Sequence, residues 1–166
     1  MKGLYRNKRP VYYALYEGET EIMKDGFYTG AHQKQYGDIQ MQKMDVGASR
    51  TAYGFVSSVV QMEYFGLDKP YSKVAVVDDI NCPITEETLV WLDQGKLSEY
   101  AADSTYAVGK KVLHNGRIYK CKQSVDTPSE FDENAWELVP HNYMVSGIAK
   151  SLNFIAYMLK EVDLRE

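Results

Sequence analysis

At 166 residues, with 45% apolar and 25% charged side chains, the chain can bury a core and is too apolar to be a disordered polymer. It fits one ordinary domain, or one domain with a smaller companion. Nineteen Lys and Arg against 23 Asp and Glu leave a net charge of −4, the wrong sign for a protein that grips duplex DNA through its phosphates.

No apolar run reaches the roughly 20 residues of a membrane-spanning helix. The opening MKGLYRNKR also lacks the apolar block of a signal peptide, so synthesis in a cytoplasm and no membrane partner are expected. The two cysteines, Cys82 and Cys121, show no CxxC or Cys/His spacing and read as reduced structural thiols. Tyrosine is abundant, 14 residues, which suits half-buried strands and subunit contacts where the ring packs and the hydroxyl stays wet.

In chain order, RPVYYALYEGETEI (residues 9–22) sets Val11, Tyr13 and Leu15 against Tyr12, Ala14 and Tyr16, the period of one strand with two usable faces. Glu17-Gly18-Glu19 and Lys24-Asp25-Gly26 read as turns. Strands are predicted in GFYTGAHQKQYG and in DIQMQKMDV; in the latter Ile39, Met41 and Lys43 share one face and Gln40, Gln42 and Met44 the other. Residues 45–54 have the composition of a mobile loop with a positive tip at Arg50, and the chain turns strand-like again from Val56. YSKVAVVDD is a short apolar run. CPITEETLVWLD puts Leu89 and Trp91 on one face, with a brief helix over residues 84–89 as the alternative, because Thr85-Glu86-Glu87 also reads as a helix start.

The segment STYAVGKKVLHNGRIYKCKQ (residues 104–123) pairs residues 110–113 with 117–121 across His114-Asn115-Gly116. Asn-Gly is the strongest short-range signal for a tight hairpin, since both positions accept positive φ. The closing HNYMVSGIAKSLNFIAYMLKEVD carries two imperfect alternations, and also a helical set in Met144, Ile148, Leu152, Ile155 and Leu159. Two strands joined near Ser151-Leu152-Asn153 are the preferred reading.

No catalytic constellation stands out. His32, His114 and His141 have no neighbours at ligand spacing, so no metal and no other cofactor is expected. Asp78-Asp79 and Glu86-Glu87 could be drawn as paired carboxylates of a hydrolase or nuclease, but no nucleophile accompanies them. GASRT, residues 47–51, lacks the spacing and the lysine of a phosphate loop. Lys34, Lys43 and Arg50 are too few to bind DNA as single copies, though such charges add when repeated round a ring.

Four segments in this order, MKGLYRNKRPVYYALYEGETEI, YFGLDKPYSKV, CPITEETLVWLD and PHNYMVSGIAKSLNFIAYMLKEV, resemble the head-closure (stopper, or head-tail joining) proteins of long-tailed bacteriophages. The resemblance implies a mainly β protein: a small β-barrel or sandwich with long loops, formed by residues 1–95 and 140–166. Residues 96–139 then read as an inserted small antiparallel β-domain. It also implies a non-enzymatic virion component of the neck, assembled in the host cytoplasm as a homo-oligomeric ring. Its partners would be the portal-adaptor proteins, the tail proteins and the packaged DNA in the channel. Ring contacts are expected from the tyrosine-rich strands and the two termini, and the channel plug from Asp45, Gly47, Ser49, Arg50 and Thr51.

The insert itself, through Tyr106, Gly109, Val112, Asn115-Gly116, Tyr119 and Trp136, resembles small chitin-binding-type carbohydrate-binding modules. That resemblance implies a cell-surface glycan as an alternative partner, faced by Tyr100, Tyr106, Tyr119 and Trp136. Against it, Lys122-Gln123-Ser124 stands where such modules carry an exposed aromatic pair, and Trp136 also reads as core filler.

Overall fold

The structure, a computed structural model, describes residues 8–48 and 72–162, and every regular element among them is a strand. In chain order these are β1 (Lys8–Ala14), β2 (Tyr16–Lys24), β3 (Phe27–Tyr36), β4 (Gln40–Ala48), β5 (Lys73–Val77) and β6 (Leu89–Trp91). A middle group, β7 (Lys111–His114), β8 (Arg117–Cys121) and β9 (Trp136–Leu138), is followed by β10 (Tyr143–Lys150) and β11 (Ile155–Glu161). Strands β1-β4-β5-β11-β10-β6 close into a barrel; β2 and β3 form a separate two-stranded sheet, and β7-β8-β9 a three-stranded one. All the strand pairings are antiparallel. The expected mainly β fold, a small barrel with a further antiparallel unit, is the fold observed.

Alternation decides which side chains fill the barrel. Val11 and Tyr13 of β1, Met44 of β4, Ala75 and Val77 of β5, Val90 of β6, Tyr143 and Val145 of β10, and Ile155, Tyr157 and Leu159 of β11 form one buried cluster. The opposite faces of several strands are buried as well. Val74, Val76, Ala156 and Met158 make a second cluster, and Tyr12, Ala14, Trp91 and Ile118 a third. Strands covered on both sides need apolar residues at consecutive positions, which is why VAVV and IAYML show no polar alternation.

Three sequence expectations are corrected. The predicted single strand over residues 9–22 is two strands, because the chain leaves the barrel at Leu15, whose carbonyl accepts a 2.9 Å hydrogen bond from Gly37 N. Glu17-Gly18-Glu19 is not a turn but a bulge within β2, with Gly18 at φ 116. No helix forms over residues 84–89; Glu86 and Glu87 make a turn, with Glu87 at φ 67. The turn at Asp25-Gly26 is as expected, with φ 52 and 83.

The two closing strands are also as expected, joined through residues 151–154. Their imperfect alternation has a cause: the β10–β11 register shifts between Val145 and Gly147, and Ser146 donates its hydroxyl to Met158 O. Tyr143 and Val145 point into the barrel before this bulge, and Ile148 joins the same cluster after it. Changing phase mid-strand gives a strand the spacing of a helix.

The β7–β8 hairpin turns at Asn115 (φ 48) and Gly116 (φ 72), as its Asn-Gly pair predicts. The turn is tied to the barrel side, since Ile39 N donates to Gly116 O at 2.8 Å. A Cβ at Gly116 would collide with the Asp38 carboxylate as well as sit at positive φ. Gly116→Ala is therefore expected to lower unfolding free energy by about 1–3 kcal/mol in urea titration, and by more than Gly109→Ala, which carries the backbone strain of φ 90 but meets no neighbour.

Candidate functional site

The first residues of the expected channel loop are strand. Asp45 and Gly47 lie on β4, Asp45 opposite Lys8 and Val76, Gly47 opposite Val74, so both belong to the barrel wall and not to a plug. Ser49, Arg50 and Thr51 lie outside the described residues, as does the strand expected after Val56. Lys34, a candidate for DNA, donates to Glu87 at 3.1 Å, and this carboxylate raises its pKa. The acidic pairs are likewise engaged: Asp78 binds Lys8, Asp79 accepts from Asn81 N, and Glu87 holds Lys34. No group of three or more His, Cys, Asp or Glu that could hold a metal occurs among the described residues.

Trp136 does not face a glycan. It is 3% exposed, packed with Val112, Cys121 and Ala135, and its indole nitrogen is buried without an acceptor. Around it the remaining rings occupy one another. Tyr100 stacks on Tyr106 with centroids 5.2 Å apart, His114 on Phe131 at 4.0 Å, and Phe131 on Trp136 at 5.8 Å. Tyr119 meets Phe131 edge-on. The tyrosine hydroxyls are committed too, Tyr100 to Ser129 O and Tyr106 to the backbone of Ala101. Tyr100, Tyr106 and Tyr119 are thus brought together, half-buried, as the packing of the small sheet. Both cysteines are buried, Cys121 donating to Gln123 O and Cys82 lying beside Tyr157 inside the barrel. Burial first, and the neighbouring thiol second, push the Tyr157 hydroxyl far above its ordinary range.

Sequence reasoning did not single out two features, an exposed two-stranded arm and a cleft at its root. The β2–β3 sheet is an arm: every residue from Glu19 to Lys34 is exposed. Near its Asp25-Gly26 turn it carries Phe27 (78% exposed), Tyr28 (69%) and Met23 (54%). The only signal was the aromatic pair directly after a predicted turn, where solvated residues are usual.

At the root of the arm lies a cleft of about 350 Å³ between barrel and small sheet. Ala14, Ile39, Trp91, Ile118 and Val139 supply apolar lining, Leu138 stands 53% exposed, and Asp38, Arg117 and His141 contribute polar groups. His141 packs edge-on against Trp91, with centroids 6.0 Å apart. Of the tyrosine-rich strands from which ring contacts are expected, β1 keeps Tyr12 and Tyr13 only 2% and 3% exposed, whereas Tyr28 of β3 is 69% exposed. Most of both termini, residues 1–7 and 163–166, lie outside the described residues.

Compared with protein-family models, curated proteins and solved structures, the chain finds no match.

Burial lowers the pKa of His141 from 6.5, so the folded chain holds this imidazole neutral more firmly than the unfolded chain does. The contribution is fully present above pH 6.5 and is lost as pH falls through that value toward the lowered folded pKa, because only the unfolded state takes up the proton. Urea midpoints between pH 7.5 and 5.5 should fall less in His141→Gln than in the unaltered chain. Equal slopes would show that other groups set the acid sensitivity.

Proposed function

We propose that the chain is a structural subunit of the head-tail connector of a long-tailed bacteriophage. It assembles there as a ring, closes the DNA channel after packaging and offers a docking surface to the tail. The observation that carries the assembly part of this reading is the arm. A two-stranded sheet is marginal by itself in water, yet this one extends its full length into solvent and ends in exposed aromatic residues. Exposed apolar groups concentrated on a projecting element suit a partner surface.

The closed barrel supports the same view from the opposite direction. Closure leaves the barrel with no free strand edge, so neighbouring copies cannot join by extending its sheet and must use appended elements. The closure and tail-docking roles rest on the resemblance of the four ordered segments.

A density map of assembled particles tests the proposal. The chain is expected as a ring below the portal, and particles lacking it are expected to package DNA, lose it and remain tailless. Normal tailed particles without the protein, or density away from the neck, would overturn the reading.

The glycan alternative is tested separately by titrating the full chain with chitin oligosaccharides while following tryptophan fluorescence. With the ring faces packed on one another, no saturable change is expected at millimolar sugar. Saturable binding that Tyr119→Ala abolishes would return the small sheet to glycan recognition.

A further inference from the structure

We propose that the arm tip of one copy seats in the cleft of a second copy, with Phe27 and Tyr28 entering between the barrel and the small sheet. The inference takes its setting from the ring-forming subunit proposed above, and it adds which surface meets which.

The chain carries both halves of such a contact but cannot join them within one molecule. Nine residues of β2 at about 3.4 Å each carry the tip roughly 30 Å from the root of the arm. The root is itself at the cleft, where Tyr36, Gly37 and Asp38 line the wall. The hairpin starts at the cleft and leaves it: no residue from Met23 to Tyr28 lines the cleft, and all of them are exposed. A neighbour's tip has no such restriction.

Shape and charge both fit. The cleft volume of about 350 Å³ lies within the range, about 300–1,000 Å³, that encloses a ligand-sized apolar group. Its walls offer the partly exposed Leu89, Leu138 and Val139 to the incoming rings. Beside the tip aromatics stand Lys24 and Asp25, and at the cleft stand Asp38 and Arg117, so each charge at the tip has an opposite charge to meet.

Because tip and cleft are different surfaces, the contact is head-to-tail, and it propagates until a ring closes or a filament grows. Two aromatic side chains bury about 150–250 Å² each, well short of the roughly 800 Å² per partner of a stable interface. A single tip-in-cleft contact is therefore weak, and dilute protein should be monomeric. Contacts strengthen one another once copies are held side by side.

Oxidative crosslinking of the full chain tests the inference, with Met23→Cys, which leaves both tip rings in place, and Leu138→Cys introduced together; Cys82 and Cys121 are buried and stay silent. Both altered side chains are exposed, so folding should be kept, and circular dichroism checks it. The expected result is a ladder of covalent oligomers that lengthens with protein concentration. Mixing the two single variants should stop at heterodimers. A control pairing Met23→Cys with Leu152→Cys, which is 91% exposed on the β10–β11 turn, should give several-fold less product.

A ladder no stronger than the control's overturns the inference. So does closure of the disulfide within one chain, or a Leu138→Cys that crosslinks in assembled particles to a different protein. If a ring is seen at the neck but the ladder is absent, only the tip-in-cleft contact fails. If the ladder forms but no neck density is found, the contact stands and the connector reading fails.

Discussion

Strand β1 is covered on both faces, and the arrangement of everything around it follows from that. Inward, Val11 and Tyr13 join the barrel core. Outward, Tyr12 and Ala14 pack with Trp91 and with Ile118, which comes from the small sheet and is fully buried. The Tyr12 hydroxyl also accepts a 2.7 Å hydrogen bond from Leu97 N, where the chain sets out toward that sheet. A strand with one solvated face would let the small sheet swing free. Burying four large apolar faces in one cluster fixes it, at roughly 25 cal/mol per Å² removed from water.

Rigidity and exposure are divided sharply between parts of the chain. The barrel has no open edge and two packed surfaces, while among the described residues the arm is a two-stranded sheet with exposed outer positions. Among the described residues, Tyr16 against Tyr36 closes the root of the arm and the Lys34–Glu87 pair ties it to the body. An exposed pair of this kind contributes little.

The class of fold was readable in the sequence because alternation and turn chemistry are local. Asn115-Gly116 and Asp25-Gly26 each announced a hairpin through the positive φ that their positions require. The closing strands were harder, because the bulge at Ser146 moves Ile148 onto the face that Val145 occupies. Asp45 and Gly47 read as loop because polar and small residues fit a loop as well as a barrel strand; only pairing with Lys8, Val74 and Val76 distinguishes them. Trp136 could be a platform or a core residue by type alone. The cleft had no sequence signal at all, since its walls come from six separate stretches between Ala14 and His141.

The small sheet leaves and rejoins the barrel through a single clasp. The Asn142 side chain accepts from Leu92 N at 2.8 Å and donates to Leu92 O at 3.0 Å, imitating a backbone neighbour. Next to it, the Trp91 indole donates to Val139 O at 2.9 Å. Departure and return are thus stitched together independently of what lies between them. The barrel's ladder is continuous across the doorway between β6 and β10, and the segment between departure and return enters the body through its contacts with β1 and not through the barrel's strand pairing.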